Sequence, residues 1–216
     1  MHRSRIIATA LLPLLTLSAS AQSVSSLNDN YSRLAVMPML SQEHYSAHGS
    51  HASSHHSLFG LGIAYVTGTN IMKDHSPLFL ETGLEVSYVS RSEEIDYWNE
   101  TEMYDQDDVS TRMLSAIIPF DVVYKIRLND EAALVPSVGM DAKINMLAAN
   151  YYDGDKRSAF DDGARRFQWG WNFGLGVEFS RYSLGYRRYA DITSFQKVGD
   201  VKTTYRNHYI AFGIRF

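Results

Sequence analysis

The 216-residue chain has no cysteine, so no disulfide scaffold holds it together, and no cysteine follows its apolar leader to carry a lipid anchor. Neither sign of charge dominates. Twenty basic residues stand against 24 acidic ones, which excludes a basic nucleic-acid binder. Only 14 glycines and 5 prolines are present, too few for a collagen-like or disordered polymer. Long apolar runs are missing as well. The most apolar stretch, Ile6 to Leu17, spans about 12 residues, short of the roughly 18 that a membrane helix needs, so a helical membrane protein is excluded.

That stretch has its own meaning. Arg3 and Arg5 precede it, and Ser18-Ala19-Ser20-Ala21-Gln22 follows with small residues at the positions a signal peptidase reads. The order of charge, apolar core and cleavage site predicts a secretory signal over residues 1–21, cut after Ala21, then a short lead over 22–30 and one domain over 31–216. Cleavage removes two of the 20 basic residues and no acid, leaving a mature net charge of −6. An exported chain without disulfides must take its stability from elsewhere.

The mature chain alternates with period two almost throughout, and helical spacing is not seen. From Leu114 to Ile126 the even positions are Leu, Ala, Ile, Phe, Val, Tyr and Ile, while the odd ones include Ser115, Asp121 and Lys125. Leu134 to Met146 opposes an apolar even face to Ser137, Gly139, Asp141, Lys143 and Asn145. Phe167 to Phe179 places Phe, Trp, Trp, Phe, Leu, Val and Phe on one face, and Gln168, Gly170, Asn172, Gly174, Gly176 and Glu178 on the other. The same grammar marks Phe59–Tyr65, Leu78–Tyr88, Tyr182–Tyr186 and Ile210–Phe216. A first strand over Tyr31–Gln42 has the least contrast. Eight strands are predicted.

Which face looks inward decides the class. The polar face is made of Gly, Ser, Asn and single charges of both signs, which suits a narrow interior of interlocking side chains. Its acids are Glu81, Glu85, Asp121, Asp141 and Glu178; its bases are Lys125, Arg127, Lys143, Arg187 and Arg215. Five of each sign can pair. The bulky face then meets lipid, as in a transmembrane barrel. Trp169 and Phe179 stand ten residues apart, about 33 Å along a strand, which a tilt near 40° reduces to roughly 25 Å of height, the expected apolar band.

Long and short connections alternate, as in an up-and-down meander with long outer loops and both termini on the periplasmic side. The long ones are expected over 43–56, 89–108, 147–164 and 187–204; the connection over 67–76 is intermediate. Face parity predicts a two-residue turn at Ser180-Arg181. It also demands an odd count between the fourth and fifth strands, met by Asn129–Glu131 or by a bulge. Pro119 and Pro136 cannot donate to a ladder, and local bulges are expected there. The fold class is thus all-β: a closed antiparallel up-and-down transmembrane β-barrel of eight strands.

The final residues NHYIAFGIRF, Asn207 to Phe216, resemble the C-terminal signal by which the barrel-assembly machinery recognises its clients. PLFLETGLEVSY (77–88), IPFDVVYKI (118–126), LVPSVGMDAKIN (134–145) and RFQWGWNFGLGVEF (166–179) resemble the porin-family outer-membrane β-barrel proteins of Gram-negative bacteria, with their PorT-like and OmpX-like eight-stranded members. The resemblance implies an integral outer-membrane barrel, outer-membrane lipid and the assembly machinery as partners, and no cofactor. It points to no particular ligand.

Four constellations are candidates for chemistry. His44, His48, His51, His55 and His56 crowd one loop and could gather a metal ion, yet no cysteine or carboxylate organises them, and a solvated loop is the simpler reading. The loop over 91–108 holds Glu93, Glu94, Asp96, Glu100, Glu102, Asp105, Asp107 and Asp108 against Arg91 alone. It lacks EF-hand spacing and also reads as solvated, with Tyr97, Trp98 and Tyr104 suited to adhesion or to the headgroup belt. Glu81 and Glu85, two steps apart on one face, read as members of a packed ion network rather than as an acid–base pair, since an eight-stranded barrel has room only for its own side chains. A rim hydrolase would need His208 beside Ser110 or Ser158, and no spacing supports it. No catalytic, cofactor or metal residues are assigned. The sequence favours a monomeric, non-enzymatic barrel that supports envelope integrity or makes surface contacts through its loops, with an extracellular ligand as one such contact, ahead of a narrow porin or small-solute carrier and, third, a lipid-acting rim hydrolase, and without nucleic-acid binding.

Overall fold

A computed structural model describes residues 29–47, 55–72, 76–98, 104–152 and 155–216. The expected leader lies outside them. Every regular element among the described residues is a strand: β1 (Tyr31–Ala47), β2 (His55–Asn70), β3 (Leu78–Trp98), β4 (Tyr104–Tyr124), β5 (Ile126–Arg127), β6 (Ala132–Tyr152), β7 (Asp155–Ser158), β8 (Phe167–Phe179), β9 (Tyr182–Asp191), β10 (Gln196–Val198) and β11 (Val201–Arg215). β5 prolongs β4, whereas β7 and β10 pair only with β6 and β11 in the outer connections. Eight staves remain, each antiparallel to its neighbours, and β1 closes on β11. Reciprocal bonds between Ser32 and Phe216, 2.9 and 3.0 Å, seal that seam at the periplasmic end.

The register can be followed around the wall. Tyr31 faces Gly68, then come Glu81, Asp121, Gly139, Asn172, Tyr189, Asn207 and finally Ser41. One circuit thus climbs from position 31 to position 41 of β1. With a rise of about 3.3 Å per residue and strands about 4.7 Å apart, that offset sets a tilt of about 40°. All the residues on this spiral look into the lumen.

Alternation places the side chains as the sequence leads one to expect. Phe167, Trp169, Trp171, Phe173, Leu175, Val177 and Phe179 are exposed on the outer wall, and Gln168, Asn172 and Glu178 are buried inside it. The two-residue turn at Ser180-Arg181 follows from the Phe179–Tyr182 pairing, with Ser180 in the left-handed region at φ 53°. Between β5 and β6 the turn is Asn129–Glu131. The Asn129 Oδ1 accepts hydrogen bonds from the amides of Glu131 (2.9 Å) and Ala132 (2.8 Å), a side chain standing in for a backbone turn.

Three expectations need correction. The prolines are not bulged: the β3–β4 register is the same on both sides of Pro119, and only the rungs opposite Gly83 and Leu84 are missing. On its other side Pro119 stays paired with Asp141. Pro136 likewise interrupts one ladder and keeps its place opposite Leu175 in the other. A missing amide costs bonds on one side of a strand only, so no extra residue is required. The real register shift lies at Leu114/Ser115, where Met146 is the extra residue of β6. Arg127 is not enclosed: β5 still pairs with β6, but it lies past the last rung between β3 and β4 at the periplasmic rim, and both its residues are exposed. Finally, β3 and β4 extend to 21 residues each, so most of the loop expected over 89–108 is a hairpin, with Arg91 opposite Thr111 and Trp98 opposite Tyr104. Above the membrane neither face of a strand needs to be apolar, and the pattern loses its contrast there.

Candidate functional site

The lumen has two storeys. The periplasmic one is an ion network built from inward positions on six staves. Arg187 of β9 donates to Glu85 Oε1 (2.8 Å), Glu81 Oε1 (2.8 Å), Tyr189 Oη (3.0 Å) and Asp121 Oδ2. Arg33 donates to both oxygens of Glu81 at 2.6 and 2.8 Å, and Tyr31 Oη donates to Glu81 Oε2 at 2.8 Å. Tyr189 Oη lies 2.9 Å from each Glu85 oxygen, and Asn172 Nδ2 is 2.8 Å from Asp121 Oδ1. Beside this knot, Glu178 meets Lys125 Nζ (2.9 Å) and Arg215 (3.4 Å), while Lys125 sits 3.8 Å from the centroid of the Tyr31 ring.

A second polar group lies higher. Lys143 Nζ is 2.6 Å from Asp191 Oδ1, Gln168 donates to Asp191 Oδ2, and Asn145 links Gln168 to Ser115. Asp141 is buried, and its Oδ1 has no hydrogen-bond partner. Nine of the ten charges expected inside are there. Arg33 and Asp191 join them unforeseen: Arg33 lies in the low-contrast first strand, and Asp191 lies beyond the predicted end of the seventh.

Beside this second polar group the outer part of the lumen is filled by apolar side chains, where the sequence leads one to expect Gly, Ser, Asn and single charges. Met37, Met39, Leu58, Val89, Met113, Ile117, Tyr205 and Tyr209 pack across the lumen, joined by Ala159 and Phe195 from the two outer connections described. The Phe195 and Tyr205 rings meet edge-on at 5.2 Å, as do Tyr189 and Tyr209 at 4.9 Å. Backbone bonds hold this lid in place: Phe195 donates to Thr203, Arg165 to the Phe195 carbonyl and Ala164 to Ala159. Signals for these inward methionines existed at odd positions of β1, but an equally apolar opposite face concealed them.

A cavity of about 50 Å³ adjoins Arg33, Glu81, Glu178 and Arg187, where Gly174, Gly176 and Gly185 present no side chain. It has room for a few waters. The two carboxylates weighed as an acid–base pair, Glu81 and Glu85, both bind Arg187. Nor does the fold assemble the rim triad. His208 faces outward on β11 between Arg188 and Leu40, Ser110 lies on β4 opposite Tyr151, and Ser158 lies on β7 opposite Ala149. His48 and His51, and the side chains of His55, His56 and residues 92–109, lie outside what is described. Among the described residues no group of three or more His, Asp or Glu is arranged to hold a metal.

A tilted, closed wall with an oily exterior and a charged, filled interior matches one kind of known sequence. The sequence model described as outer membrane protein beta-barrel domain matches residues 9–216. The chain belongs to that family. It is an integral protein of the outer membrane, and its Trp- and Phe-rich outer face is in contact with lipid. Among solved structures the barrel is similar to Ail of Yersinia pestis in complex with the heparin analogue sucrose octasulfate, at 16% identity over 87% of this chain and 99% of that one, TM-score 0.44. It is similar to OprG of Pseudomonas aeruginosa at 10% identity over 89% and 99%, TM-score 0.45. It is also similar to Neisserial surface protein A, at 15% identity over 84% and 95%, TM-score 0.40. No curated protein matches.

Proposed function

We propose that the protein is a monomeric, non-conducting and non-enzymatic surface barrel. It is delivered by its cleaved leader, inserted by the barrel-assembly machinery through its C-terminal NHYIAFGIRF segment, and acts on extracellular ligands through its outer loops. One observation supports this above the others: the Arg187 ion network fills the lower lumen, and the Met37–Met113–Phe195 cluster packs with the Lys143–Asp191–Gln168 group in the upper part. A narrow porin would need a continuous wet path, and the Met37–Met113–Phe195 storey interrupts it. An enzyme would need a free acid, base or nucleophile, whereas Glu81, Glu85, Asp121 and Glu178 are each tied to cations. The protein refolded from the mature chain and added to planar bilayers is expected to give no stepwise conductance at 100 mV in 1 M KCl. Reproducible open-channel steps would favour the porin reading.

A further inference from the structure

The apolar belt is not of equal depth around the barrel. On β8 seven outward residues from Phe179 to Phe167 are apolar, and on β6 they run from Leu134 to Met146. On β9 the belt is Tyr182, Leu184 and Tyr186, and then Arg188 follows. On β11 it is Phe216, Ile214, Phe212 and Ile210, followed by His208, Arg206, Thr204 and Lys202. On β1 Leu40 gives way to Gln42 and His44. These residues form one continuous patch, because His208 lies opposite both Arg188 and Leu40, and Arg206 lies opposite Gln42.

The register fixes the height of the patch. The pairing path climbs toward the outer end on going from β8 through β9 and β11 to β1, by about 3 Å per strand at a tilt near 40°. Phe173 pairs with Arg188, which pairs with His208. His208 therefore stands about 6 Å above Phe173, level with Trp171, and Arg206 stands level with Trp169. Tryptophans at this position mark the boundary between acyl chains and headgroups. Arg188, one strand earlier on the climbing path, stands about 3 Å below His208.

The chemistry of the patch is one-sided. No outward residue of β9, β11 or β1 is a carboxylate, although the whole chain carries an excess of acid. Neither Arg188 nor Arg206 has an ion-pair partner among the described residues, and the Arg188 Nε is buried with no acceptor. Tyr186 Oη and His208 Nδ1 share a 2.6 Å hydrogen bond, which orients the imidazole in the neighbourhood of Arg188 and Arg206. Guanidinium forks at a headgroup boundary, without a protein acid to satisfy them, call for phosphate. We propose that this patch binds the phosphate groups of a phosphorylated glycolipid of the outer leaflet, whose acyl chains lie along Tyr186, Ile210 and Leu40. The inference rests on the outer-membrane location and the register, and it is independent of whether the lumen conducts.

The test uses the full mature barrel folded in dodecyl maltoside, titrated with diphosphorylated lipid A and followed by tryptophan emission and microscale thermophoresis. Saturable binding is expected. It should weaken at least tenfold when the lipid is dephosphorylated, and at least tenfold in the Arg188→Gln/Arg206→Gln protein, while Arg112→Gln, on the far side of the wall, leaves it unchanged. Millimolar inorganic phosphate should not compete. Equal binding of the dephosphorylated lipid, or of a folded double variant, overturns the proposal. Competition by inorganic phosphate overturns it too, since the patch would then be a free-phosphate site. Should the double variant not fold, the comparison of the two lipids on the unaltered protein decides alone.

Discussion

Replacing Arg187 with methionine is expected to lower the stability of the barrel by at least about 4 kcal/mol, and to abolish the folded, heat-modifiable band on cold SDS gels. Removing one partner of a buried pair typically costs 3–5 kcal/mol, because the other charge stays enclosed. Among the described residues, Arg187 alone is ion-paired with Glu85 and with Asp121. Glu81 keeps Arg33. Arg187→Lys retains the charge and loses the fork, so it should cost about 2 kcal/mol. The informative variant is Arg187→Met/Glu85→Gln/Asp121→Asn, which removes cation and stranded carboxylates together and should recover most of the loss. Urea midpoints in lipid vesicles check all three. A single Met variant with an unchanged midpoint, or a triple variant no better than the single, would show that the knot does not operate as a unit.

The second large effect concerns backbone approach. A Cβ built at Gly139 collides with the Phe120 carbonyl oxygen and the Asp121 carboxylate, and lies 2.8 Å from the Asp121 Cα. Two of these three obstacles are backbone, so β4 and β6 would have to separate where they are in register. Gly139→Ala is expected to cost at least about 3 kcal/mol, at the top of the range for overpacked interiors. Gly176 provides the control. Its Cβ would meet the Leu184 carbonyl oxygen at 3.2 Å and the Gly185 Cα at 3.4 Å, on the edge of the small cavity. Gly176→Ala should stay within about 1 kcal/mol of the parent. Equal midpoints for the two alanine variants would contradict the close approach seen at Gly139.

The wall of the barrel was readable from residue order because lipid imposes a strict period of two on every stave that crosses it. Phe167–Phe179 coincides with β8 for this reason; face parity located the turn at Ser180-Arg181 and narrowed the other to Asn129–Glu131 or a bulge, of which the chain uses the three-residue turn. Where lipid stops acting the period fades. Residues Val89–Trp98 and Tyr104–Met113 pair as strands above the membrane without any apolar face to reveal them. The interior was half readable. Charges announce themselves on a polar face, so Arg187, Glu81 and Asp121 stood out. Met37 and Met39 did not, because both faces of β1 are apolar and nothing in the sequence says which one is enclosed. Phe195 was beyond reach for a different reason: it enters the lumen from a connection, where no periodicity applies.

The central claim is that the apolar face of each stave meets acyl chains and the charged face is enclosed. Nitroxide labels placed singly at Ile118, Met140 and Leu175 in the refolded mature protein, reconstituted in phosphatidylcholine vesicles, test this most directly. All three should relax strongly with dissolved oxygen and weakly with a water-soluble nickel chelate. Labels that respond to neither reagent, or to the chelate alone, would place these side chains in a protein core or in water and contradict the account.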